Sequence, residues 1–287
     1  MRSTKVTGAI AALMLTAAMA RAGASPQIGD THEIILTTQS EQQGSNGSGS
    51  SNDRDTIVEK VIGVRADGVE MEYDLPKGVS ADEKATDWQF PFRVFMPSPG
   101  GQVQLLNSPE LEARRDVWLK AAGLTSAACG HWVFTWNAFR IECDPQSVLD
   151  TVKAFDLRDS DPREGGSYRD PAALSPGTWT KKTAGPDGAT FIAEMPVDPD
   201  AVRRARAQAD VVTGEIMRQP VTLDAALQQR AKETISGTIS VELETDPAGA
   251  GRRRTKVTKL AIKMPDGSSQ TQTVTETLER RAISGRD

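Results

Sequence analysis

Two histidines and two cysteines in 287 residues argue against a multi-histidine metal site, and no metal or cofactor is expected. A formal charge of -5 opposes general nucleic-acid binding, which relies on Lys and Arg neutralising phosphates. The length suffices for a sizeable core in one or two domains.

Residues 1–24 read as a secretory signal peptide. Arg2 and Lys5 precede the apolar run GAIAALMLTAAMA, and small residues follow at signal-peptidase spacing through Ala20, Ala22 and Ala24. Cleavage after Ala24 leaves 31 basic against 39 acidic side chains. The apolar run is shorter than the ~20 residues a bilayer requires, and no later segment reaches that length. The expected product is periplasmic or secreted, with no transmembrane segment.

Residues 25–157 are expected to form an N-terminal α+β domain. THEIILTTQSEQQ reads as a strand, and GSNGSGSSND as a flexible polar loop. TIVEKVIGVRA and VEMEYDLP then face each other across Asp67-Gly68, a pair suited to a tight hairpin turn. That register opposes Val64 to Met71 and Ile62 to Tyr73. Ser108-Pro109 predicts a helix capped by the serine and closed at Gly123, with Leu111, Trp118 and Ala122 buried. Asp144-Pro145 predicts another, with Val148, Val152 and Phe155 facing inward.

Between them, ACGHWVFTWNAFRIEC holds both cysteines and part of the aromatic-rich middle of the chain. A two-residue loop at Asn137-Ala138 would oppose Trp136 to Phe139, Phe134 to Ile141 and Trp132 to Cys143. Trp132, Phe134, Trp136 and Phe139 would then share one face, as core or as the wall of a ligand site. Cys129 would overrun Cys143's partner by three residues in this register, so the chain must bend back near Gly130 to form a disulfide. A Cys129–Cys143 bond is still expected, as the two are the only cysteines of an exported chain. His131 serves no recognisable nucleophile or metal motif and is expected as a structural strand residue, so no catalytic residue is assigned.

Residues 158–188, rich in Pro, Gly and charge, read as a linker or long loop between two sub-domains. Residues 189–281 are expected to hold a C-terminal helix and a three-stranded antiparallel meander, with 282–287 a disordered tail. The helix starts at Asp198-Pro199, and Val202, Ala205, Ala209, Val212 and Ile216 follow helical spacing. Thr222 caps a short successor. Ile235, Ile239, Val241 and Leu243 alternate along a strand, and Val274 and Leu278 share a face along another. TIVEKVIGVRADG at 56–68 aligns on TKVTKLAIKMPDG at 255–267, either as a duplicated unit or as two hairpins with common strand chemistry. Arg252, Arg253, Arg254 and Lys256 form a basic strand on an acidic protein, an anion site or a tip that blocks edge-to-edge association.

The fold class expected is α+β, antiparallel meanders packed with a few helices. The expected function is a non-enzymatic envelope module binding a lipid or other apolar ligand. The alternatives are a scaffolding module that meets another envelope protein, and a carboxylate-based polysaccharide hydrolase, since such chemistry needs only two acidic groups.

Overall fold

The computed structural model describes residues 25–45, 47–98, 100–134, 138–158 and 162–283. The segment read as a signal peptide, residues 135–137 and most of the tail lie outside them.

Alternating apolar residues build a long hairpin from β1 (Thr31–Gly44) and β2 (Gly47–Arg65), followed by β3 (Gly68–Asp74). Most of the polar stretch, 47–53, is therefore strand, not loop. Gly and Ser are poor strand formers, but β1 offers this stretch an unbroken partner from Gly44↔Gly47 to Thr31↔Lys60. The next hairpin turns at Ala66-Asp67, with Arg65 opposite Gly68. A bulge at Ile62 then sets Val61 against Met71 and Glu59 against Tyr73, in place of the pairs read from sequence. Gly68 is required there, because an added Cβ would lie 2.3 Å from the Met96 carbonyl oxygen.

After α1 (Ala81–Thr86) come β4 (Phe92–Pro97), β5 (Gln104–Leu105) and α2 (Ser108–Ala121). Asn107, not Ser108, occupies the cap position of α2, and its side-chain oxygen accepts from the Arg93 amide at 2.9 Å. The helix buries Leu111 and Leu119, while Trp118 is half-buried and Ala122 exposed. A small hairpin follows, β6 (Trp132–Phe134) with β7 (Ala138–Arg140), and then α3 (Val148–Ala154) behind a short 3-10 turn. Asp144 caps that turn, and Val148, Val152 and Phe155 are buried as the spacing predicts.

Residues 158–188, expected as a linker, contain β8 (Ser167–Tyr168), β9 (Gly177–Thr178) and β10 (Thr180–Gly185). They also contain Trp179, which is 1% exposed. The chain continues through β11 (Gly188–Pro196), α4 (Pro199–Ile216) and α5 (Leu223–Arg230). It ends in the meander β12 (Thr234–Thr245), β13 (Gly251–Lys263) and β14 (Ser269–Ala282). Asp198 and Thr222 cap α4 and α5 with their side chains.

The buried face of α4 is rotated from the expected stripe. Ala207 and Gly214 are buried, whereas Ala205 and Ala209 are exposed. Ion pairs rather than large apolar groups mark this side: Arg206 bonds the buried Glu233, and Asp210 bonds Arg230 of α5. Gly214 admits the following chain, since an added Cβ would sit 2.7 Å from the Gln219 carbonyl oxygen.

One ten-stranded antiparallel sheet runs in the order β10-β11-β12-β13-β14-β1-β2-β3-β4-β5. β1 joins its two halves by pairing with β14 from His32↔Ala282 to Gly44↔Gln270. With the helices, this is an α+β fold. The two aligned segments lie in β2 and β13, each the middle strand of a meander. One buried cluster draws on Ile34, Ile57 and Met71, on Phe92, Leu111 and Val152, and on Trp179, Ile239, Leu243 and Leu278. Residues on both sides of 158–188 thus share a core.

Candidate functional site

Register places five residues in one cross-strand row on the core-bearing face. Phe191, Leu243, Arg254, Leu278 and Leu36 follow one another across β11, β12, β13, β14 and β1. The next row holds Ala193, Val241, Lys256, Glu276 and Thr38. The face is thus apolar toward β11 and charged at its centre.

A cavity of about 520 Å³ lies over these rows, roofed by Ser167–Pro171 and the end of α3. Leu36, Leu278, Tyr168 and Trp179 supply its apolar surface, and Lys153, Arg169, Arg254 and Lys256 its cations. Lys256 reaches Glu276 at 2.5 Å and the buried Asp170 at 3.5 Å. Burial alone would lower its pKa, but these carboxylates hold it above the ordinary lysine value. Burial pushes the Tyr168 hydroxyl up, so it stays neutral.

A second cleft, about 620 Å³, opens on the other side of Lys153. Val69, Met96, Val103 and Leu149 give it apolar walls, and Lys153, Asp156 and Arg158 are its charged lining. Both volumes lie within the ~300–1,000 Å³ range of small-ligand sites.

Arg158 links this cleft to a buried ionic cluster. Glu59 is fully buried and bonds Arg280 at 2.5 Å and Arg158 at 3.3 Å, with His32 at 3.7 Å. Arg158 also donates to the Tyr73 hydroxyl at 2.8 Å. Burial would lower Arg158's pKa, but Tyr73, Glu59 and Asp156 outweigh it and raise the value. Burial first, and then Arg280, lower that of His32 against the pull of Glu59.

The expected aromatic wall is divided. Trp132 opposes Arg140, Val133 opposes Phe139, and Phe134 opposes Ala138. Trp132 and Phe139 therefore lie on opposite faces of the hairpin, and Phe139 is 44% exposed. Trp136 lies outside the described residues. The cause is that three residues, not two, separate β6 from β7. In this register Cys129 and Cys143 fall opposite one another, and they form a disulfide with Cα atoms 5.6 Å apart. The anticipated overrun does not occur. Gly130, at φ +83°, bends the strand so that its amide donates to the Ile141 carbonyl. Alkylation of the denatured, unreduced protein should label no thiol. Reduction should cost up to roughly 3 kcal/mol, the chain-entropy value for so short a loop, read as a shift in urea midpoint.

His131 faces Glu215 of α4 at 3.2 Å, and Glu215 also accepts from the Trp132 amide at 3.1 Å. These bonds, the amide first, lower Glu215's pKa. These bonds tie β6 to α4.

The four basic residues of β13 separate. Arg252 and Arg253 pair with Glu244, at 3.0 and 3.8 Å. Arg254 and Lys256 enter the cavity. Sequence reading missed the carboxylates Asp170 and Glu276 and the apolar partners Leu36 and Trp179, which come from four distant segments. The period-two spacing of Arg254 and Lys256 was the available signal. Among the described residues no group of three or more His, Cys, Asp or Glu could hold a metal ion, and no helix is long and apolar enough to cross a membrane.

No protein-family model and no curated protein matches the chain. Among solved structures it is similar to Ail, the attachment invasion locus protein of Yersinia pestis, at 5% identity and TM-score 0.17 over 88% of this chain and 99% of that one. It is also similar to a putative outer membrane lipoprotein-sorting protein domain from Vibrio parahaemolyticus, at 10% identity and TM-score 0.16 over 89% of this chain and 87% of that one. Likenesses this slight carry no argument about function, which rests on the cavities.

Proposed function

We propose that this protein is an exported, non-enzymatic module of the cell envelope that holds an apolar ligand in the cleft between β3, β4 and α3. The observation that carries this reading is the cleft itself: about 620 Å³ walled by Val69, Met96, Val103 and Leu149, with Lys153, Asp156 and Arg158 as its charged lining. The N-terminal order of basic, apolar and small residues supports export, as does the disulfide. The ligand wall thereby moves from Trp132, Phe134, Trp136 and Phe139 to this cleft.

Native mass spectrometry of the protein, gently purified from its envelope, tests the reading. A co-purifying lipid-sized mass is expected on the wild type. Leu149→Trp, which fills the cleft, should remove that mass without unfolding the chain. A bare wild-type chain that also fails to bind an apolar fluorescent probe would refute the proposal.

A protein-interaction module is the second reading. It is favoured by the outer edge of β2 from Gly47 to Ile57, which β3 leaves uncovered because their pairing begins at Val58.

A further inference from the structure

Arg254 is the only charged residue among the five of its row. Leu243 on one side is fully buried, Leu278 on the other is 1% exposed, and Phe191 and Leu36 lie beyond. Asp55 opposes Leu36 and is the next carboxylate along the row, but it sits three strands away, about 14 Å at ordinary strand spacing. Among the described residues no carboxylate pairs with Arg254 or with Arg169 at the cavity rim. The two carboxylates that do line the cavity, Asp170 and Glu276, are both engaged by Lys256. Lys153 is bonded to Asp150 at 2.8 Å, and the other three cations against two anions leave the described lining positive on a protein that is acidic overall. A half-buried guanidinium between leucines, without a counter-ion, is costly to keep unless something anionic meets it.

We propose that this cavity is an oxyanion site. Arg254 forks the phosphate or carboxylate group of a ligand whose apolar part lies against Leu36, Leu278 and Tyr168. Guanidinium geometry suits two parallel hydrogen bonds to such a group, and the walls suit an alkyl chain. Arg169, exposed at the rim, adds attraction without fixing geometry. The site is separate from the cleft of the proposed function, and either can fail without the other.

Titration calorimetry on the disulfide-intact chain tests this with dodecyl phosphate, inorganic phosphate and uncharged dodecyl maltoside, all below micelle concentrations. Dodecyl phosphate should bind this cavity in the wild type and in Leu149→Trp, where the apolar cleft is filled, and more weakly as salt is raised. Arg254→Gln should weaken it at least about tenfold, the usual scale for a lost charged hydrogen bond. Arg252→Gln and Leu149→Trp should leave it unchanged. Inorganic phosphate competing at equal concentration identifies a free anion as the natural ligand; a need for large excess identifies an anionic lipid. Arg254→Leu completes the apolar row, so it should match or exceed the wild-type melting temperature while losing dodecyl phosphate. Unchanged affinity in Arg254→Gln would overturn the proposal. Equal binding of dodecyl maltoside at this site would overturn it too, as would a lower melting temperature for ligand-free Arg254→Leu, which marks a structural arginine.

Discussion

Trp179→Ala is expected to destabilise the protein by about 3–5 kcal/mol, the cost of truncating a large core aromatic. Trp179 lies in the polar, proline-rich stretch 158–188, where surface substitutions ordinarily cost little. Yet it is 1% exposed, its ring centroid is 4.8 Å from that of Tyr168, and its backbone bonds Gly165 and Gly166. The cluster around it includes residues from β1, β3, β11, β12 and α3. Its loss should therefore lower the whole urea transition, not detach one part. If only a minor early transition moves and the main midpoint holds, 158–188 is a covering loop and the shared core is not cooperative.

Removing Glu59 should be comparably damaging. Its carboxylate is fully buried and is the common partner of Arg280, Arg158 and His32. Glu59→Ala leaves Arg280 without its carboxylate and Arg158 with Asp156 alone; breaking a buried pair from one side costs about 3–5 kcal/mol. Both arginines keep some solvent contact, at 36% and 23% side-chain exposure, which points to the lower end. Replacing Glu59 and Arg280 together by methionine should recover part of the loss. A single-variant effect below about 0.5 kcal/mol would mean that solvent already screens the cluster. The cluster also sets a pH dependence. His32's pKa is depressed below its ordinary 6.5, mainly by burial. A histidine held neutral in the fold favours folding above its unfolded pKa. That contribution fades as pH falls through 6.5 toward the folded value. Stability should thus drop on mild acidification, and His32→Asn should remove that portion of the drop.

Much of the architecture was legible because it rests on local rules. The alternation of Ile239, Val241 and Leu243, the caps at Asp144, Asp198 and Thr222, and the disulfide all read directly. Local rules failed where a distant partner decided the outcome. β1 draws residues 47–55 into strand against their own propensity. The cysteine pair and a separation of three residues between β6 and β7 set the register that turn chemistry alone misjudged. Ion pairs to Glu233 and Arg230 choose the face of α4 that apolar spacing placed elsewhere. The cavity was half visible: the basic run marked Arg254 and Lys256, but nothing local joins them to Leu36 or Asp170. Glu59 did leave a trace, as an acid in the apolar phase Ile57-x-Glu59-x-Val61.

The pairing of β1 with β14 also determines when the molecule can become whole. His32 and Arg280, which meet across that seam, are 248 residues apart in sequence. Until β14 emerges, β1 and β13 each present an open ladder of amides and carbonyls, the kind of surface on which chains aggregate. So non-local a contact slows folding, because chain entropy must be lost before the ladder repays it. A chain threading through a membrane therefore cannot finish this sheet halfway. Were the chain exported as proposed, the same delay would keep it extended enough to be threaded.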